Sequence, residues 1–272
     1  MDAQPPALDP AIHAFYRDRY REDDRLHRSA HGRLELLRTR ELLGRHLPPA
    51  PASVLDVGGA TGVHARWLIE DGYRVHLIDP VPEHVAQAAT IPGITATLGD
   101  ARALPVPAAS ADVTLMFGPL YHLLDPADRV LALREAVRVT RPGGLVAAAG
   151  ISRYAGILAL AALGEIDDAA AESLLRGLRT GINVDEPEGF THAYFHGPGE
   201  LPAELAAAGL IGVEVYGVEG PSTPALDAAP LDRLPELLPS ALWAARVLEQ
   251  DPAMMYASPH QLAVGRVPGP QG

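Results

Sequence analysis

Two acids and a run of glycines raise the first chemical question. Asp56 belongs to the apolar run Val54–Val57, and Gly58, Gly59, Ala60 and Gly62 follow before a helical pattern starts near His64. Asp79 ends a second such run, Arg74–Asp79, about 20 residues further on. Glycines admit a ligand against bare backbone, and a carboxylate at a strand's carboxyl end accepts two hydroxyls at once. That is chemistry for a nucleoside, and counting narrows which one. A dinucleotide turn asks for G-x-G-x-x-G, but from Gly58 the third position is Ala60 and the sixth is Val63. A P-loop needs a lysine, and the chain contains none. What remains is Asp56-x-Gly58-x-x-x-Gly62.

Three further motifs follow in order. Gly99-Asp100-Ala101 closes a third strand pattern and leads into Leu104-Pro105. Phe117-Gly118-Pro119-Leu120-Tyr121-His122 follows a fourth, and Arg141-Pro142-Gly143-Gly144 breaks a helix before a fifth. Together they resemble the class I S-adenosylmethionine (SAM) dependent methyltransferases of small-molecule type, over about residues 52–151. The resemblance implies a cofactor site made of Asp56, Gly58, Gly59, Ala60 and Gly62, with Asp79, Pro80 and Val81 at the ribose. It places Gly99, Asp100 and Ala101 at the adenine, and Phe117, Gly118, Pro119 and His122 near the methyl. Ala60 departs from the family, which often has glycine there. A subgroup closes arginine- and tyrosine-bearing N-terminal helices over the cofactor, which makes Tyr16, Tyr20 and Arg33 candidates for its methionine carboxylate.

The elements that must position these groups alternate. Strands are expected at Val54–Val57, Val75–Asp79, Ile94–Leu98, Asp112–Phe117 and Leu145–Ile151, with helices at Val63–Glu70, Glu83–Ala89 and Pro126–Thr140 between them. Alternation of this kind predicts a parallel sheet covered on both faces. The expected fold is α/β, a Rossmann-like sheet of seven mostly parallel strands. It carries an N-terminal helical lid (1–50), the cofactor-binding core (51–151), a helical cap inserted after the fifth strand (152–199) and a C-terminal part of the sheet (200–272). Residues 1–10 are proline-rich and read as disordered. The lid has a helix from Asp9-Pro10 and a second from about Gly32 to His46, with Leu34, Leu37 and Leu42 apolar. The cap shows helical stretches at Tyr154–Leu163 and Asp168–Thr180 and no strand pattern.

Composition removes other classes. There is no cysteine, hence no disulfide or thiolate site. The absence of lysine removes Schiff-base chemistry. A net charge of -12 argues against broad nucleic-acid binding. No apolar run reaches membrane-spanning length, and the first residues lack a signal pattern, so a cytoplasmic location is expected. The oligomeric state is unreadable.

The expected reaction is methyl transfer from SAM to oxygen or nitrogen of a small molecule. SAM binding without transfer, and a peptide or RNA acceptor, are the alternatives. An in-line displacement of an activated methyl needs alignment first and a base second. His122 and His196 are the candidate bases. Tyr121, His122, Arg153, Tyr154, His192, Tyr194 and His196 are candidates for touching the acceptor. His192 and His196 lie in an extended segment without a carboxylate third ligand, so no metal site is expected.

Overall fold

A computed structural model describes Leu26, residues 29–183 and residues 190–269. The expected first helix, with Tyr16 and Tyr20, and the proline-rich start lie outside these residues. The chain runs α1 (Ala30–Gly44), β1 (Ser53–Val57), α2 (Val63–Glu70), β2 (Arg74–Asp79), α3 (Pro82–Ala88) and β3 (Thr95–Leu98). It continues with β4 (Ala111–Met116), α4 (Pro119–His122), α5 (Pro126–Val139) and β5 (Thr140–Ser152). Beyond these come α6 (Ala155–Leu163), α7 (Asp168–Thr180), β6 (Ile182–Asn183), β7 (Ala193–His196) and α8 (Glu200–Ala207). The end holds β8 (Ile211–Gly217), α9 (Thr223–Asp227), α10 (Leu234–Leu248) and β9 (His260–Arg266).

The main sheet has the order β3-β2-β1-β4-β5, continued by β9 against β5 and β8 against β9. The first five strands are parallel, whereas β9 is antiparallel to both β5 and β8. The central strands read as continuous apolar runs because helices cover both faces. Leu55, Val57, Met116 and Val146 face one buried layer, while Val54, Leu77, Leu115 and Ala147 face the other. Alternate residues of one strand thus serve opposite layers, and a register slip would exchange the two sets.

Two departures from the expected elements matter. The stretch after β5 is not purely helical: β6 and β7 pair with each other, and β7 pairs with the carboxyl end of β5 at Ile151–Phe195 and Ser152–His196. Among the described residues the sheet therefore has nine strands instead of seven. A two-residue strand and the four-residue AYFH carry too little periodicity to be seen. The second concerns α1, capped by Ser29, whose hydroxyl accepts from the Gly32 N–H at 3.0 Å. Its inner face carries Glu35, Arg38 and Thr39 among Leu34, Leu42 and Leu43, and Leu37 is 45% exposed. Buried polar groups need partners. Arg38 donates to Val218 O at 3.2 Å and to Glu249 at 2.5 Å, which ties α1 to the C-terminal half. Ala30 and Leu34 join Leu226, Leu234 and Ala241 in one cluster, so α1, α9 and α10 form a single helical layer. No helix of the described residues is long and apolar enough to cross a membrane.

Candidate functional site

The carboxyl ends of β1, β2, β3 and β4 open onto one cleft. Its walls include Val57–Ala60, Asp79–Val81, Gly99–Arg102 and Phe117–Pro119, with Val63, His64, Ile78, His84 and Tyr121–Leu123 between them. Ligands in open α/β sheets bind at this edge, because each strand ends there in a loop that can reach outward.

The turn after β1 is built against neighbours. Gly58 has φ +70, and a Cβ there would lie 2.7 Å from Pro119 Cδ. A Cβ on Gly59 would meet the Asp56 carboxyl at 2.6 Å. Ala60 also sits in the left-handed region at φ 48, which an L-alanine adopts only at a cost. Its N–H donates to Asp79 Oδ2 at 2.9 Å, while Asp79 Oδ1 accepts from the Val81 N–H at 2.9 Å and contacts His84 Nδ1 at 3.1 Å. Three donors thus hold the Asp79 carboxylate at the rim of the cleft.

Asp100 is held differently. Arg102 donates to it from Nε at 3.0 Å and Nη2 at 2.7 Å, and also reaches Asp128 at 2.7 Å. The guanidinium occupies both oxygens expected to face an adenine amine, so a ligand there must share or displace it. Burial pushes the His122 imidazole down to about 4, against the raising effect of a backbone hydrogen bond at His192 and the charge of Asp79. It is neutral at physiological pH. A pKa this far from neutrality makes His122 a poor base, and its ring packs on Tyr121 and Phe190 at 4.8 and 5.8 Å.

Several expected residues lie elsewhere. Asp56 is fully buried beneath the turn, its two oxygens without partners, and burial together with the charge of Asp79 pushes its carboxyl up to about 7. Gly62, at φ +88, starts α2, and a Cβ there would strike Ile91 at 2.6 Å; it does not line this cleft. Arg33 is exposed on α1 and lines neither cleft. The supposed acceptor residues of the cap form a structural stack. The Tyr194 ring centroid lies 3.6 Å from the Arg129 guanidinium and 5.7 Å from that of Arg153, which also donates to Glu200 at 2.7 Å. His196 is 1% exposed and contacts Glu204 at 3.3 Å. Arg153, Tyr154, His192, Tyr194 and His196 line neither cleft. The sequence shows the aromatic and charged residues but not that they face each other across β5, β7 and α8.

A second cleft adjoins the first, and the two share His64, Phe117 and Tyr121. Its walls come from His31, Glu35 and Thr39 of α1, from Ala149, Ile151, Ala155, Phe190 and Phe195, and from Val218 and Pro259–Leu262. Among these, Phe117 and Tyr121 were singled out from the sequence. Behind the wall, buried Glu219 accepts from Ser258 Oγ at 2.7 Å and lies 2.5 Å from His260 Nδ1; Glu35 stands 3.8 Å from the same nitrogen. Glu35, Glu219 and His260 each offer a ligand atom within 4.8 Å of the others, a grouping invisible in a sequence that separates them so widely. His31 pairs with Asp227. Burial alone lowers the His31 pKa, but the hydrogen bond and charge of Asp227, with Glu35 and Glu219, outweigh it and the net shift is upward.

The donor set of the first cleft suits a nucleoside with a thioether or sulfonium arm. It offers one acid after β2, one after β3, a glycine turn after β1 and an aromatic–imidazole corner after β4. Residues 54–144 match the family model described as methyltransferase domain. An uncharacterized methyltransferase of Mycobacterium tuberculosis is 39% identical over 99 residues, 36% of this chain, and the matched stretch spans 39% of that relative's length. The ubiquinone biosynthesis O-methyltransferase of Methylocella silvestris is 31% identical over 245 residues, covering 80% of this chain and 88% of that protein. A SAM-dependent methyltransferase structure from Mesorhizobium loti superposes with a TM-score of 0.56 at 18% identity, over 89% of this chain and 99% of that one.

Proposed function

The chain belongs to the class I SAM-dependent methyltransferases, and from that premise we propose that it transfers a methyl group from SAM to an oxygen or nitrogen of a small molecule. The observation that carries this reading is the junction of two clefts at His64, Phe117 and Tyr121. One cleft has the donors a nucleoside needs. The other is a separate, aromatic-walled space that opens beside it, as a two-substrate transfer requires.

SAM supplies an already activated methyl, so the protein's task is placement. In this reading Asp79 accepts the ribose hydroxyls, and Gly58, Gly59 and Ala60 bring backbone against the amino-acid arm. Asp100 and the Ala101 N–H address the adenine, and Phe117, Tyr121 and His64 form the wall where the acceptor meets the methyl. Neutral His122 shapes that corner by packing. Residues 152–199 contribute Ala155 and Phe195 to the acceptor cleft, which supports their part in covering it. Among the described residues no arginine lines the second cleft, which speaks against an RNA acceptor. A cytoplasmic location suits such an enzyme.

Calorimetry with S-adenosylhomocysteine tests the cofactor half: saturable one-to-one binding is expected, and no binding would sink the reading. Incubation with methyl-labelled SAM and candidate acceptors, followed by mass spectrometry, tests the transfer.

A further inference from the structure

We infer that the second cleft takes an uncharged aromatic acceptor, and that the side-chain carbonyl of Gln261 receives an O–H or N–H from it. The inference rests on the methyltransferase reading only in treating this cleft as the acceptor's.

The walls are the first ground. The chain has four phenylalanines, and three of them, Phe117, Phe190 and Phe195, line this one cleft beside Tyr121. They come from the loop after β4, from the segment before β7 and from β7 itself. All four side chains are only half-buried, so the fold leaves part of each ring to the cleft. Covering that apolar surface is a gain open to any apolar ligand, and a flat aromatic ring adds ring-to-ring contact.

Gln261 is the second ground. It lines the same cleft from β9, is 1% exposed and donates from Nε2 to Ser258 O at 3.0 Å. Ser258 is itself held, because its Oγ donates to Glu219 at 2.7 Å and accepts from the Glu219 N–H at 2.8 Å. A carbonyl oxygen only accepts, so its contact with Gln261 fixes which end of the amide is nitrogen. The other end, Oε1, is buried without a donor. A buried acceptor left unpaired is costly, and a ligand O–H or N–H relieves it where an ether or a hydrocarbon does not.

The third ground is what the ionisable groups of the cleft already do. His31 pairs with Asp227, His260 pairs with Glu219, and Glu35 is partnered as well. A charged ligand would have to break into these contacts after giving up its own water, whereas an uncharged one leaves them as they are. Gln261 is not among the residues shared by the two clefts. The group it receives is therefore a different one from the atom that meets the methyl at the junction.

The test is calorimetry on the full-length protein at neutral pH, with and without S-adenosylhomocysteine. The probes are 4-ethylphenol, its methyl ether 4-ethylanisole, the saturated 4-ethylcyclohexanol, and the charged 4-ethylbenzoate and 4-ethylbenzylamine. The phenol should bind about fivefold tighter than the ether, which lacks the donor, and about fivefold tighter than the cyclohexanol, which lacks the ring. Both charged probes should bind more weakly than the phenol. Gln261→Leu should bring phenol and ether to the same affinity while leaving S-adenosylhomocysteine binding unchanged. The ranking of probes on the parent protein needs no variant, so it decides the matter even if Gln261→Leu does not fold. Equal binding of phenol and ether by the parent, tighter binding of the cyclohexanol or of either charged probe, or a preference surviving Gln261→Leu would overturn the inference. S-adenosylhomocysteine binding without the phenol preference sinks this inference alone. A phenol preference that Gln261→Leu removes, in a protein that does not bind S-adenosylhomocysteine, sinks the methyltransferase reading and leaves the aromatic site standing.

Discussion

The walls of the first cleft, Leu26 apart, fall between Val57 and Leu123, each within a few residues of a strand's carboxyl end. Those of the second run from His31 to Leu262 and draw on α1, β5, the segment after it and β9. One is an edge of a parallel sheet, where four successive strands each deliver a short loop to the same place. The other exists only because a helix from the start of the chain packs beside a strand from its end. A site of the first kind is written in local motifs. The second is written in long-range contacts such as Arg38 with Glu249 and Val218, and His260 with Glu219.

If the two are built independently, they should fail independently. The largest effect is expected from Arg38→Ala. Removing a fully buried guanidinium from Glu249 and Val218 O should cost about 3–5 kcal/mol in urea unfolding. S-adenosylhomocysteine affinity of the folded fraction should change less than about twofold; loss of both together would show that the clefts are one unit. Asp79→Ala is the converse. Losing the charged acceptor of two hydroxyls should weaken S-adenosylhomocysteine about 100-fold while leaving probe binding in the second cleft intact.

Asp56 sharpens the comparison through pH. Its folded pKa is raised, from 3.8 to about 7. The unfolded chain therefore loses that proton first, and the associated stability falls as pH rises from about 4 to about 7, then levels off. Asp56→Asn should remove this slope, so its advantage over the parent in thermal melts should be greater at pH 8 than at pH 4.5, by about 2 kcal/mol. The smallest effect belongs to Ala60→Gly. Relief of the left-handed alanine, partly offset by glycine's greater freedom in the unfolded chain, should leave a gain of about 0.5 kcal/mol with cofactor affinity unchanged. A clear loss would mean that the methyl group of Ala60 itself contacts the ligand.

The strand–turn–helix order and the loops that line the first cleft were legible because glycine, proline and acid positions act on backbone within a few residues. Gly58, Gly118 and Asp79 needed only their neighbours to be interpreted. Asp56 and Gly62 were recognised as motif members, but their work is to support the turn rather than to line the cleft. Arg33 was chosen for its charge, yet Arg38, one turn further along, is the arginine that turns inward. Tyr194 and His196 looked like acceptor residues because aromatic and imidazole groups draw attention in a sequence, and they proved to be held by Arg129, Arg153 and Glu204.

By itself, then, the amino-acid sequence determined the α/β alternation and the class of cofactor. Each of these follows from local periodicity and from backbone demands spanning a turn or less. Only the tertiary structure decided which groups gather around the second cleft. The pairing of β9 with β5 and β8, and the docking of α1 by its buried polar face, bring Glu35, Glu219 and His260 together from positions that no local pattern connects.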